Sequence, residues 1–138
     1  MNADIKGIDL NNVIGTSYHN DTIYASVNEL VNILGVKPIK DFDVKTKFQW
    51  NLEYHSEILN KTFPFTIYDY NEDWESHTKS ATGVNDYIYT TKIDWHIGGK
   101  SGNDTILVKV WLKNKLNEIW QNVLLTINEE EIFDSATF

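Results

Sequence analysis

Between residues 44 and 54 the side chains alternate with period two. Val44, Thr46, Phe48, Trp50, Leu52 and Tyr54 fall on one side, and Lys45, Lys47, Gln49, Asn51 and Glu53 fall on the other. A helix would scatter both sets around its axis, whereas a pleated strand collects each on one face. The spacing predicts a long strand with one buried face. Residues 55–61 then read as a hairpin connection and residues 62–70 (TFPFTIYDY) as a second, aromatic-rich strand, with Pro64 near its start, where a missing N–H is tolerated. The two strands are expected to pair antiparallel.

Upstream of this hairpin lies a helix signal. Ser26-Val27-Asn28-Glu29 fits a capping box, Val27, Leu30, Val31 and Leu34 recur at helical spacing, and Gly35 followed by Pro38 closes the element. A helix over 27–34 follows. Downstream, residues 72–85 are polar and read as a surface loop, and residues 88–97 as a third strand leading into Gly98-Gly99. Asn103 or Asp104 then caps a second helix with Ile106, Leu107, Val110, Trp111 and Leu116 on a common face, while 117–127 either prolongs it or forms a last strand. The order predicts an α+β fold in one domain over 1–138: a small antiparallel sheet of three or more strands, with two helices packed on one face. Residues 1–20 carry no sustained period and are expected to be a loosely held lead-in. Residues 128–138 are expected to form a loosely held acidic tail.

Composition narrows the chemistry. No cysteine is present, so thiolate nucleophiles, disulfides and cysteine-ligated metals are excluded. The four histidines show no metal-ligand spacing, and neither a metal nor a cofactor is expected. All twelve basic residues are lysine, which removes the bidentate fork that reads guanine edges, so a duplex-DNA reader is not expected. No apolar run reaches the roughly 20 residues of a membrane span, and the first residues lack the pattern of a signal peptide. A cytoplasmic protein without membrane attachment is the expectation. The net charge of −8 gathers in 69–75 and after Lys115, which favours solubility or a basic partner.

The segment WHIGGKS (95–101) ends with the letters of a phosphate-binding loop. Such a loop requires a glycine five residues before the second glycine of the motif, and here that position is Asp94, so no triphosphate cradle is expected. Two readings remain. Gly98 and Gly99 serve as positive-φ turn residues with Lys100 solvated, or the turn before the second helix holds an anion. An acid–base pair of Asp69 with His96 is a further possibility for catalysis. The aromatics Tyr68, Tyr70, Trp74, Tyr87, Tyr89 and Trp95 crowd this part of the chain, as core packing or as a pocket for a nucleobase.

The stretches Phe65-Thr66-Ile67-Tyr68-Asp69-Tyr70 and Trp95-His96-Ile97-Gly98-Gly99, together with the capped helix and Trp50, resemble a set of small phage-encoded proteins sharing the pattern F-x-I-Y-D-[YW] followed by W-x-I-G. The likeness covers residues 22–116. It implies a phage accessory role, of the kind that blunts host immunity.

The resulting expectation is a non-enzymatic counter-defence protein that sequesters a nucleotide-type immune signal such as a cyclic nucleotide or cyclic ADP-ribose. Tyr68, Tyr70 and Trp95 would stack on the base. Lys100, Ser101 and the backbone of Gly98 and Gly99 would hold phosphate, and Asp69 or His96 would read a polar edge. A homo-oligomer is plausible for such a sponge. The alternatives are an acidic inhibitor directed at a host defence protein, anti-CRISPR-like or mimicking nucleic acid, and an enzyme that cleaves the signal.

Overall fold

A computed structural model describes residues 3–78 and 87–136. Strand β1 (Ala3–Gly7) leads through a short 3-10 turn (Leu10–Val13) into β2 (Ser17–Ala25) and helix α1 (Val27–Leu34). A two-residue strand β3 (Ile39–Lys40) precedes the hairpin of β4 (Thr46–Ser56) and β5 (Lys61–Tyr70). Short helices α2 (Trp74–Thr78) and α3 (Tyr87–Thr90), strand β6 (Ile93–Gly99) and the long helix α4 (Gly102–Ala136) complete the chain. The sheet is antiparallel, in the order β1-β4-β5-β6-β2, with β3 against β4. It is an α+β fold on a multi-strand antiparallel sheet.

The central hairpin follows the alternation. Trp50 pairs with Ile67, Leu52 with Phe65 and Tyr54 with Phe63, so both strands send their large side chains to the same face. There Phe48, Trp50, Phe65, Ile67, Trp95 and Ile97 are fully or almost fully buried. Trp50 and Trp95 meet edge to face at 5.4 Å, a geometry that adds to the area the rings bury. Val27, Leu30 and Leu34 of helix α1 and Val108, Leu112 and Leu116 of α4 join these side chains in one buried cluster. The capping box of α1 is present, with Ser26 accepting from the Glu29 N–H at 3.2 Å and the Glu29 carboxylate accepting from the Ser26 N–H at 3.0 Å. Gly35 closes the helix at φ 71°, where only glycine is free of Cβ strain.

Several expectations are refined or changed. The lead-in 1–20 holds a paired strand, a 3-10 turn and the start of β2. It shows no sustained period because β1 is short and the pairing of β2 with β6 is interrupted between Tyr18 and Thr22. The third strand is shorter than 88–97, since Tyr87–Thr90 is helical and β6 begins at Ile93. Segment 117–127 belongs to α4, and the backbone of that helix runs through the acidic tail as far as Ala136. The face that α4 buries is Val108, Leu112 and Leu116 with Asp104 and Thr105, whereas Ile106 and Val110 are half exposed. The start of the helix is anchored by polar contacts to the sheet, and these rotate the apolar pair Ile106 and Val110 outward. The described residues hold four α-helices, not two. Part of the expected loop 72–85 is α2, and residues 79–86 lie outside the described part. Among the described residues no helix is long and apolar enough to cross a membrane.

Candidate functional site: an aromatic sheet face

Alternation sorts the sequence-derived site residues into two sets on opposite faces of the sheet. Tyr68 and His96 are direct cross-strand partners, and Thr66 pairs with Gly98 on the same face. Tyr70 follows two residues along β5 and shares that face. Asp69 and Trp95, their sequence neighbours, therefore point to the core. Trp95 is wholly buried, and its indole N–H donates to the Ala25 carbonyl at 2.8 Å. No ligand can stack on it.

Asp69 is 2% exposed. One of its carboxylate oxygens accepts from the Phe48 N–H at 2.8 Å and the other from the Trp74 indole at 2.6 Å. Burial pushes its carboxyl above the usual range, against the hydrogen bonds from Phe48 and Trp74. This carboxylate ties the irregular start of β4, where the register with β5 shifts between Thr46 and Gln49, to helix α2. It stands across the sheet from His96, so the acid–base pair is not assembled.

On the open face His96 lies between two tyrosines. Tyr18 stacks on it with ring centroids 4.3 Å apart and planes 20° from parallel, and Tyr70 lies on it at 6.2 Å and 28°. Tyr68 meets the same imidazole edge-on at 5.4 Å. Tyr18 and Tyr70 are 40% and 44% exposed, which leaves ring surface for a further planar group. Burial lowers the His96 pKa, while the nearby charges of Glu72 and Asp94 act to raise it. The imidazole is thus held towards its neutral form, suited to stacking. Burial also raises the Tyr68 phenol, with Tyr18 and Tyr70 adding to the effect, which keeps that phenol protonated as a donor. Lys45 reaches the Tyr70 hydroxyl at 3.3 Å and brings a cation to one end of the stack.

Gly98 is the floor of this face. A Cβ there would collide with the Thr66 hydroxyl and sit 3.4 Å from the Tyr68 ring, so only glycine lets those side chains lie flat. Beyond it, a cleft of about 300 Å³ opens beneath residues 10–17 and is lined by Val13, Ser17, Gln49, Thr66 and Tyr68 among others. That segment also buries Gln49 and Asn51, on the side of β4 expected to be open to solvent. Just ahead of it, the Ile8 N–H donates to the Asn51 carbonyl at 3.0 Å.

The turn Gly99-Lys100-Ser101 serves another purpose. Neither Gly98 nor Gly99 has a positive φ, and the glycines that do among the described residues are Gly15 and Gly35. Gly99 faces the core, where a Cβ would come within 2.8 Å of the Thr105 methyl, so its absence lets α4 start close against the sheet. Ser101 caps that helix by accepting from the Asp104 N–H at 3.2 Å. The first turn already holds a carboxylate, since Asp104 is buried and paired with Lys61 at 2.8 Å. The positive end of the helix dipole is thereby met by the chain itself, which leaves little attraction for a second anion. Lys100 is exposed beside it.

Of the nine sequence-derived site residues, Tyr68, Tyr70, His96 and Gly98 come together. Asp69, Trp95 and Gly99 are core residues, and Lys100 and Ser101 belong to the helix entry. Sequence reasoning missed Tyr18, Thr66 and Gln49. A period-two reading of β2 would have found Tyr18 but for Asn20, which at φ 67° breaks the pairing with β6 between Tyr18 and Thr22. Among the described residues no cluster of histidine and carboxylate side chains is fit to hold a metal.

The fold and site define a small α+β protein with an aromatic sheet face. Comparison with protein-family models, with curated proteins and with solved structures finds no match.

Proposed function

We propose that the protein is a non-catalytic binding protein whose open sheet face captures a planar, nucleotide-type ligand. In this reading a phage uses it in the host cytosol to sequester a nucleotide immune signal, such as a cyclic nucleotide or cyclic ADP-ribose. The observation that carries the reading is the array Tyr18–His96–Tyr70, with ring surface left exposed above the glycine floor at Gly98. Aromatic rings of this kind accept any base through its π-face, at about 1–3 kcal/mol per stacked base. Val27 and Leu30 of α1 and Val108 and Leu112 of α4 are buried in the core on the opposite face and support the sheet from behind. The resemblance in 65–70 and 95–99 supports the phage assignment, and the separation of Asp69 from His96 weighs against a cleaving enzyme.

The test is capture. Pure protein is incubated with cyclic oligonucleotides and cyclic ADP-ribose isomers, freed of unbound ligand and heat-denatured, and the released material is chromatographed. An intact nucleotide is expected. A cleaved one would make the protein an enzyme, and none at all would contradict the reading.

One observation favours a second reading. Asp41, Asp43, Glu72, Asp73 and Glu75 outnumber Lys45 and Lys47 around a cleft of about 420 Å³, a net acidic surface of the kind that an acidic mimic directed at a basic host defence protein would use. Lysine substitutions at Glu72 and Asp73 would then abolish binding to that protein, whereas nucleotide capture on the tyrosine face would persist.

A further inference from the structure

A third cleft, on the side of the molecule away from the tyrosine platform, differs from the other two in charge. It is about 480 Å³, with Val27, Val31, Pro38 and Phe48 along its floor and wall and with Lys37 and Lys40 on its rim. No carboxylate lines it among the described residues. The adjacent Asp41 is turned to Lys47 at 3.8 Å. Lys40 lies 5.3 Å from the centre of the Tyr89 ring, which holds the ammonium beside the opening. In a chain of net charge −8, an apolar groove with a purely basic rim fits an acidic segment that also carries apolar side chains.

The chain has such a segment at its own end. Residues 128–138 contain Glu129, Glu130, Glu131 and Asp134 with no lysine, together with Ile132, Phe133 and Phe138. Ile119 and Trp120 of helix α4 still border Ser26, Glu29 and Lys92. From Trp120 the helical backbone continues to Ala136, about 24 Å further at 1.5 Å per residue. A stiff helix of that length delivers its end to a neighbouring molecule. We propose that the groove rimmed by Lys37 and Lys40 receives the acidic C-terminal segment of a second copy of this chain, giving a two-fold dimer in which each copy fills the other's groove. Such an exchange is self-complementary and closes on itself, so it stops at two. It is independent of what the tyrosine face binds.

The test is the mass of the full chain by sedimentation over a range of concentrations. The natural chain is expected to dimerise. The groove variant Lys37→Glu/Lys40→Glu and the tail variant Glu129→Lys/Glu130→Lys/Glu131→Lys should each weaken the dimer by at least about tenfold. Mixing these two variants restores opposite charges at both contacts and should restore the dimer. Circular dichroism checks that each variant folds. A natural chain that stays monomeric at every concentration, a dimer indifferent to both reversals, or a mixture that fails to reassociate would overturn the proposal.

Discussion

The imidazole of His96 and the phenol ring of Tyr18 lie nearly parallel, 4.3 Å apart, although 78 positions separate them in the chain. The contact is made by the pairing of the edge strand β2 with β6 and stands on the open face of the sheet. With Tyr70 on the same imidazole it forms a surface that a ring-shaped ligand can extend.

Removing either outer ring should weaken capture. Tyr18→Ala and Tyr70→Ala are each expected to reduce affinity about tenfold, from the 1–3 kcal/mol that a base gains by stacking. His96→Phe keeps a ring between them and should retain most of the affinity, whereas His96→Ala should not. Titration calorimetry on the captured ligand reads all four. Equal affinities throughout would place the ligand elsewhere.

Asp69→Asn tests the structural role of a residue that sequence reasoning placed in the site. The carboxylate accepts two hydrogen bonds, one per oxygen, and an amide can accept only one while turning its own N–H towards the other donor. The expected loss is about 1–3 kcal/mol in urea unfolding, with ligand affinity at saturating folded protein unchanged. A stable variant that no longer binds would return Asp69 to the site.

Gly98→Ala should strain the platform through the Thr66 hydroxyl, at a cost of about 1–3 kcal/mol. Thr66→Ala removes the colliding atom and should recover part of the stability in the double variant. Additive losses in a double-mutant cycle would show that the two side chains do not meet.

The pH dependence has a definite sign. Burial holds the folded His96 below the ordinary value of 6.5, so between that value and the lower folded one the unfolded chain binds more protons. Stability due to His96 is complete above about pH 6.5 and is lost as pH falls through this window. Asp69 acts in the opposite sense, because its raised carboxyl favours the folded state most below 3.8 and loses that effect as pH rises. Comparing the natural chain with His96→Gln at pH 7.5 and 5.5 isolates the histidine. The natural chain should lose more stability on acidification than the variant.

The sequence disclosed those parts of the fold in which local and tertiary forces agree. The alternation from Thr46 to Tyr54, the capping box at Ser26 and Glu29 and the hairpin into Phe63–Phe65–Ile67 each have a pattern that packing merely completes. The candidate site was only half legible. Asp69 and Trp95 look functional beside Tyr68 and His96 in the sequence, and a period of two is what sends them into the core. Tyr18 was hidden by the irregularity at Asn20, and Gly98 was misread because its requirement is close approach to Thr66 and not a turn. The start of α4 was read as open to an anion because the pairing of Asp104 with Lys61 joins residues 43 apart in the chain.

The most direct test of the binding face compares ligand capture by the natural chain with capture by a Tyr18→Ala/Tyr70→Ala double variant, using the same panel of cyclic nucleotides and cyclic ADP-ribose isomers and chromatography of the heat-released material. An intact nucleotide released from the natural chain and absent from the folded double variant is the predicted result. Release of the same nucleotide from both proteins, or from neither, would contradict the account.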